Sequence, residues 1–399
     1  MTPSDQADRS SGRRIKLLMT MVEVGSGHKT PAVAVADAIK HDFPGKYQID
    51  IVDFAAQVGA KTQDEQIKES WDMALRFPVV ARIMYALSRV FHPLSQVFTR
   101  LFLRDFIKRA IRYIADYKPD IVFSTYTFCT TAAVVARNSL GLDFPIIVYV
   151  VDPFDGYNLW AERRVDYFLV ASEESKERLI EFGIEETKIW ILDFPVSRKF
   201  QQITRSREEI ADDYPIKHGR PTLLMTSGGF GVGKISKYAV EIYRRGLPVN
   251  LLYVCGRNED LRRELIRLVE DEASDTALVP LGYVTNMNEL QYLADIVVGK
   301  AGASTAFESL IMGNPVLFTE WVAQNDKHIV DHFCRNEYGW YAKTKRDFFE
   351  IIERILETDE LDRFTENVRK RDFSTGVSDV SIFINTIAES GHPKQGRDA

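Results

Sequence analysis

Several short stretches of this chain hold residues whose types and spacing could do chemistry. In Lys300-Ala-Gly302-Ala303-Ser304-Thr305-Ala-Phe-Glu308, small residues follow the apolar run Ile296–Val298, and Phe307, Leu310 and Ile311 recur behind them at helical spacing. That order reads as a buried strand, a tight turn and a helix. Its first amides point outward at the positive end of the helix, as an anion or diphosphate site requires. Glu308, about one turn inside, could accept hydrogen bonds from sugar hydroxyls beside the bound phosphate. An ordinary strand-to-helix turn with a surface Glu fits the same residues.

In Gly25-Ser-Gly27-His28-Lys29 a histidine stands at the mouth of a helix, behind two glycines that let another molecule approach the backbone. The positive helix end disfavours an imidazolium, so His28 should stay neutral and able to take a proton, as a general base does. Asp152-Pro-Phe-Asp155 ends another apolar run, and either carboxylate could orient or assist His28. A capping histidine and a turn-forming aspartate are the plainer readings. Gln324-Asn325-Asp326 follows a further strand; its short polar groups could read sugar hydroxyls, or Asp326 could simply cap the next helix.

Gly228-Gly229-Phe-Gly231-Val-Gly-Lys234 satisfies the first part of a nucleotide-triphosphate loop, but Ile235 stands where a hydroxyl must bind magnesium. A loop opening a helix toward a diphosphate-bearing ligand without metal fits better.

The elements that must position these groups come from hydrophobic patterning. Ile15–Met21 and Gln48–Asp53 read as strands around a helix with Thr30 as its cap and Pro31 in its first position, a βαβ opening. Further strands are expected at Ile121–Ser124, Ile146–Val151, Tyr167–Val170, Ile189–Ile191, Thr222–Thr226, Asn250–Val254, Ala277–Leu281, Ile296–Val298 and Pro315–Phe318. Pro195 and the charged run Arg205–Asp213 read as the crossing between two units. Residues 13–200 are expected to form a first α/β domain and 215–375 a second. A final helix over 376–390 would pack back on the first, and the two doubly wound sheets would face a central cleft.

At 399 residues two domains are the default, and 45% hydrophobic with 27% charged residues is the composition of a folded soluble protein. The net charge of −6 arises in the second half, the opposite of what a nucleic-acid binder shows. The three scattered cysteines, Cys129, Cys255 and Cys334, point to neither disulfides nor zinc and fit a reducing cytoplasm. No apolar run is long enough to span a bilayer, and the polar start does not resemble a signal peptide.

Between Arg76 and Lys118 the composition changes. Arg82, Arg89, Arg100, Arg104, Lys108, Arg109 and Arg112 are opposed only by Asp105 and Asp116, among bulky residues that include Phe91, Phe98 and Phe102. That mixture suits a helix lying in a membrane interface. A helical hairpin packed on the sheet with a basic solvent face is the alternative.

Taken in order, these residues resemble the GT-B glycosyltransferases that build glycolipids, above all the monogalactosyldiacylglycerol synthases and diacylglycerol glucosyltransferases, family 28-like enzymes. The resemblance runs from about Lys16 to Tyr341. It is carried by Gly25–His28, by Tyr167–Glu174 with Phe194-Pro-Val196, by Gly228–Gly233 with Cys255-Gly-Arg-Asn258, and by Gly282–Asn325. It implies inverting transfer of a hexose from a UDP-sugar to a lipid hydroxyl, most simply diacylglycerol, with no cofactor and no catalytic metal. It further implies a UDP-sugar site of Gly228, Gly229, Gly231, Arg257, Gly302, Ala303, Ser304, Thr305, Glu308, Asn325 and Asp326, with His28 and Asp152 catalytic. Gly25, Gly27, Arg82, Arg89, Phe91, Phe98, Phe102 and Arg104 would meet the acceptor or the membrane, making the protein cytoplasmic and peripherally membrane-associated. Two departures stand out. The histidine such enzymes carry between the residues matching Asp152 and Trp160 is replaced by Gly156-Tyr157-Asn158-Leu159, and a usual glycine of the diphosphate turn is Ser304. A UDP-sugar epimerase or hydrolase on the same frame, or a non-catalytic nucleotide-sugar binder, are the competing readings.

Overall fold

The computed structural model describes residues 13–23, 27–76, 102–226, 235–371 and 373–390. The chain divides into two units, which exchange at Ser197/Arg198 and again at Thr375/Gly376.

The first unit is a six-stranded parallel sheet: β1 (Ile15–Met21), β2 (Tyr47–Asp53), β3 (Ile121–Ser124), β4 (Ile146–Tyr149), β5 (Tyr167–Val170) and β6 (Ile189–Ile191), ordered β2-β1-β3-β4-β5-β6. Helices α1 (Lys29–Asp42), α2 (Phe54–Gln57), α3 (Lys61–Arg76), α4 (Arg104–Tyr117), α5 (Thr127–Leu140) and α6 (Glu173–Glu181) connect the strands. Every residue of β3, β4 and β5 is buried, as expected of parallel strands covered on both faces. The chain winds outward from β1 to β2 and then starts again on the other side with β3, so the direction of winding reverses between β1 and β3. Such a switch point leaves a crevice at the carboxyl ends of the strands, where open α/β sheets bind ligands.

The second unit repeats the plan. Strands β7 (Thr222–Thr226), β8 (Asn250–Val254), β9 (Ala277–Leu281), β10 (Ile296–Lys300), β11 (Val316–Glu320) and β12 (Gly339–Tyr341) are parallel in the order β12-β11-β10-β7-β8-β9, with the reversal between β7 and β10. The helices here are α7 (Arg207–Ala211), α8 (Ile235–Arg245), α9 (Glu259–Asp271), α10 (Met287–Leu293), α11 (Ala303–Ile311), α12 (Gln324–Arg335), α13 (Lys345–Glu357) and α14 (Glu360–Lys370). One apolar cluster, with Leu223, Tyr253, Ile296 and Phe348, covers one sheet face; another, with Leu224, Leu252, Val279 and Leu290, covers the other. The last helix, α15 (Val377–Ser390), lies in the first unit. There Ser381 donates to Asp42 Oδ2 at 2.7 Å, and Lys46 and Tyr47 both donate to Asn385 Oδ1.

Several local expectations shift. The first helix begins at Lys29, with His28 rather than Thr30 in the capping position. Pro31 is then third rather than first in the helix, which costs nothing, because the first four amides of a helix have no intrahelical partner. The run Arg205–Asp213 is no linker. Ser206 forms a capping box for α7, and Ile210 and Ala211 enter the core while the charges stay outside. Strand β12, absent from the sequence reading, is three residues long and depends on Gly339, where a Cβ would lie 2.1 Å from the Val316 carbonyl.

Candidate active site

His28, Tyr126, Asp53 and Asp152 stand at or just beyond the carboxyl ends of β1, β3, β2 and β4, which are neighbours in the first sheet. The imidazole of His28 is fixed from one side. Its Nδ1 lies 2.6 Å from the Thr125 carbonyl oxygen, and the Thr125 hydroxyl donates at 2.8 Å to the His28 carbonyl. A carbonyl can only accept, so Nδ1 carries the proton and Nε2 keeps its lone pair. Burial lowers the His28 pKa to about 4, against the smaller upward pull of the Thr125 bond. The orienting partner is therefore a main-chain carbonyl, where the sequence pointed to a carboxylate. Asp152, buried, accepts from the Trp160 indole at 2.7 Å, and its carbonyl accepts from Ser175. A Cβ at Gly27 would meet nothing within 4 Å among the described residues.

At the second switch point Gly302 occupies the capping position of α11 with no side-chain bond to the first turn. A Cβ there would meet nothing within 4 Å among the described residues. Ala303, Ser304 and Thr305 form that turn, whose amides have no partner within the helix. Ser304 Oγ is buried and makes no hydrogen bond among the described residues. Glu308 lies one turn further on. Gln291 of α10 donates to its Oε2 at 3.2 Å, and burial pushes its pKa up to about 8, the Gln291 bond opposing only in part. Gln291 is itself held by Asn314, which donates to its carbonyl at 2.5 Å, and its own Oε1 is buried without a partner.

Asn325 and Asp326 belong to the first turn of α12 rather than to a preceding loop. Asp326 Oδ2 accepts from the amides of Val322 and Ala323 at 3.1 and 2.9 Å, the capping role that the sequence left open. Burial raises its pKa to about 6, against these amides and Lys300. The Arg257 guanidinium lies 5.6 Å from the Tyr283 ring centroid, and Tyr283 is 67% exposed. An exposed aromatic beside a cation at the ends of β8 and β9 is a surface on which a planar base could stack.

Gly25, Gly228, Gly229, Gly231, Arg82, Arg89, Phe91 and Phe98 lie outside the described residues. Of the expected membrane segment, α4 packs with Phe106, Ile107, Ala110 and Ile114 inward and Arg104, Lys108, Arg109 and Arg112 outward. The apolar stripe of this helix is spent on the core, and its basic face is exposed. Phe102, just before it, is 43% exposed. Among the described residues no helix is long and apolar enough to cross a membrane.

Residues 28–196 match the family of monogalactosyldiacylglycerol (MGDG) synthase, and residues 229–369 match the glycosyltransferase family 28 C-terminal domain. The chain is a family 28-like glycosyltransferase of the GT-B fold. This glycosyltransferase is 23% identical to monogalactosyldiacylglycerol synthase of Spinacia oleracea, over 92% of its own length and 71% of the relative's. It is likewise 23% identical to monogalactosyldiacylglycerol synthase 3 of Arabidopsis thaliana, over 96% and 84%. The match to a probable synthase of Glycine max, 24% identical, spans 64% of that protein. In fold it is similar to MurG of Acinetobacter baumannii (TM-score 0.61, 13% identity, 94% of this chain and all of the other) and to Anabaena HepE in complex with UDP-glucose (0.54, 12%, 94% and all). A UDP-bound MnaA structure from S. aureus shares it too (0.60, 12%, 96% and all). The enzyme is a UDP-sugar-dependent glycosyltransferase.

Sequence reasoning missed Thr125, Tyr126, Gln291 and Tyr283. Thr125 and Tyr126 could have been found as the first residues beyond Ser124, had β3 been placed beside β1. Tyr283 carried a fainter signal, an aromatic directly after the glycine that follows β9.

Proposed function

We propose that this enzyme transfers a hexose from a UDP-sugar to the hydroxyl of a lipid, most simply diacylglycerol, with inversion and without a catalytic metal, at a membrane surface. The observation that carries the reading is the His28 tautomer: Nδ1 tied to Thr125, Nε2 with no hydrogen bond among the described residues, the ring neutral. A neutral imidazole with one nitrogen anchored is a directional general base for a hydroxyl. As the glycosidic bond to UDP breaks, negative charge grows on the diphosphate, and the first-turn amides of α11 with Ser304 offer donors where it appears. Glu308 holds the ribose, Tyr283 with Arg257 the base, and Asn325 with the remaining oxygen of Asp326 the sugar. Asp152 supports the acceptor side from its place at the end of β4. The similarity to monogalactosyldiacylglycerol synthases supports a diacylglycerol acceptor, and exposed Phe102 with the basic face of α4 supports contact with lipid.

The test offers radiolabelled UDP-glucose and UDP-galactose with diacylglycerol vesicles and follows label into the organic phase. His28→Ala should abolish transfer while UDP still binds, and Glu308→Ala should weaken UDP binding itself. Normal transfer by both variants sinks the site. Because a UDP-GlcNAc 2-epimerase from Neisseria meningitidis shares the fold, a parallel incubation without vesicles is needed. Release of free sugar, or an altered UDP-sugar, would favour hydrolysis or epimerisation. UDP binding with no turnover on any acceptor would favour a non-catalytic binder.

A further inference from the structure

Tyr126 supplies a group that the mechanism above does not use. It follows β3 closely, and β3 is the parallel neighbour of β1, whose loop carries His28. The two rings meet edge to face, with centroids 4.7 Å apart and planes at 84°. Phe128 holds the tyrosine ring by a second edge contact, at 5.5 Å. Among the described residues, every hydrogen bond of Tyr126 runs through its main chain: the carbonyl accepts from the Ser124 and Thr130 hydroxyls, and the amide donates to Ser124 Oγ. Tyr126 is half-buried, its ring stands beside the candidate base at the point where the sheet reverses, and its hydroxyl makes no hydrogen bond among the described residues. Burial first, then the fields of Cys129, Asp53 and Asp152, hold the phenol protonated far above its usual range, so it can serve as a donor and not as a second base.

We propose that the Tyr126 hydroxyl donates a hydrogen bond to an oxygen of the acceptor lipid, while His28 takes the proton from the hydroxyl that becomes glycosylated. This rests on the transferase reading and adds to it a residue that selects the acceptor. The oxygen gripped is either that of the attacking hydroxyl or an ester carbonyl beside it; the shared chemistry is a lipid oxygen with a free lone pair.

The experiment compares the full-length wild type, Tyr126→Phe and His28→Ala on diacylglycerol and on its dialkyl ether analogue, measuring kcat/KM for the lipid and the affinity for UDP. Tyr126→Phe keeps the ring and should keep UDP affinity, while kcat/KM for diacylglycerol falls roughly tenfold or more. If an ester carbonyl is gripped, the wild type prefers the diacyl lipid and Tyr126→Phe shows no preference. If the attacking oxygen is gripped, the variant loses equally on both lipids. Unchanged kcat/KM in Tyr126→Phe, with His28→Ala inactive, overturns this proposal and leaves the transferase reading standing. A loss of UDP affinity in Tyr126→Phe overturns it as well, since the hydroxyl would then act through structure. Normal transfer by His28→Ala overturns both readings.

Discussion

His28 and Thr125, 97 residues apart in sequence, hold each other reciprocally: the imidazole Nδ1 donates to the Thr125 carbonyl at 2.6 Å, and the Thr125 hydroxyl donates to the His28 carbonyl at 2.8 Å. The pair ties the loop after β1 to the loop after β3 across the switch point of the sheet. It also decides which ring nitrogen is basic.

The first prediction concerns protonation. With its pKa lowered to about 4, His28 is neutral throughout the range in which an ordinary histidine titrates. The acid limb of kcat/KM for transfer should therefore show no inflection near pH 6.5 from this residue. Nitrogen NMR should find Nδ1 protonated and Nε2 bare down to about pH 5. By linkage, the depressed pKa makes a stability contribution that is complete above pH 6.5 and is lost as pH falls through 4. An imidazole that titrates near 6.5, or carries its proton on Nε2, defeats the base assignment.

Nucleotide binding should release a proton. The carboxyl of Glu308, raised to about 8, is mostly neutral at pH 7. Ribose hydroxyls that donate to it favour the charged form and pull the pKa down, so UDP affinity rises with pH between 6 and 8. Calorimetry in buffers of different ionisation heat should count up to about one proton released at pH 7. That release should disappear in Glu308→Gln, and its persistence there would falsify the ribose role.

Trp160→Phe should destabilise the first unit. The indole, buried itself, is a 2.7 Å donor to buried Asp152, and its loss deprives a low-dielectric carboxylate of one hydrogen bond. The cost is expected at about 1–3 kcal/mol, read as a lower denaturation midpoint. A midpoint equal to wild type would mean that the indole bond contributes little.

Gly339→Ala should damage the edge of the second sheet. Its Cβ would fall 2.1 Å from a main-chain oxygen of β11, which cannot rotate away as a side chain could. A loss of about 2 kcal/mol or more is expected, since overpacking against backbone forces the strands apart. Thermal unfolding at the wild-type temperature would show instead that β12 slides freely.

Much of this protein could be read from its residues alone. Strands β3, β5, β7 and β8 fall where short apolar runs end in turn residues, because a buried parallel strand must be apolar along its whole length. The strand-to-helix turn at Gly302–Thr305 was legible for a similar reason: strand, small residues and helix are consecutive, so their geometry is local. What tertiary structure alone decided are the relationships between distant segments. Whether Thr125 or Asp152 anchors His28 depends on β3 lying beside β1, an order set by how the whole sheet winds rather than by any local pattern. The neutral Glu308 depends on burial in the folded chain, against which the Gln291 bond from another helix pulls only in part. Asp326 looks the same in sequence whether it reads a sugar or caps a helix, and only the fold turns its Oδ2 onto the amides of Val322 and Ala323. Strand identity follows from the hydrophobic effect acting residue by residue; the charge state and partners of a buried polar group follow from everything that surrounds it.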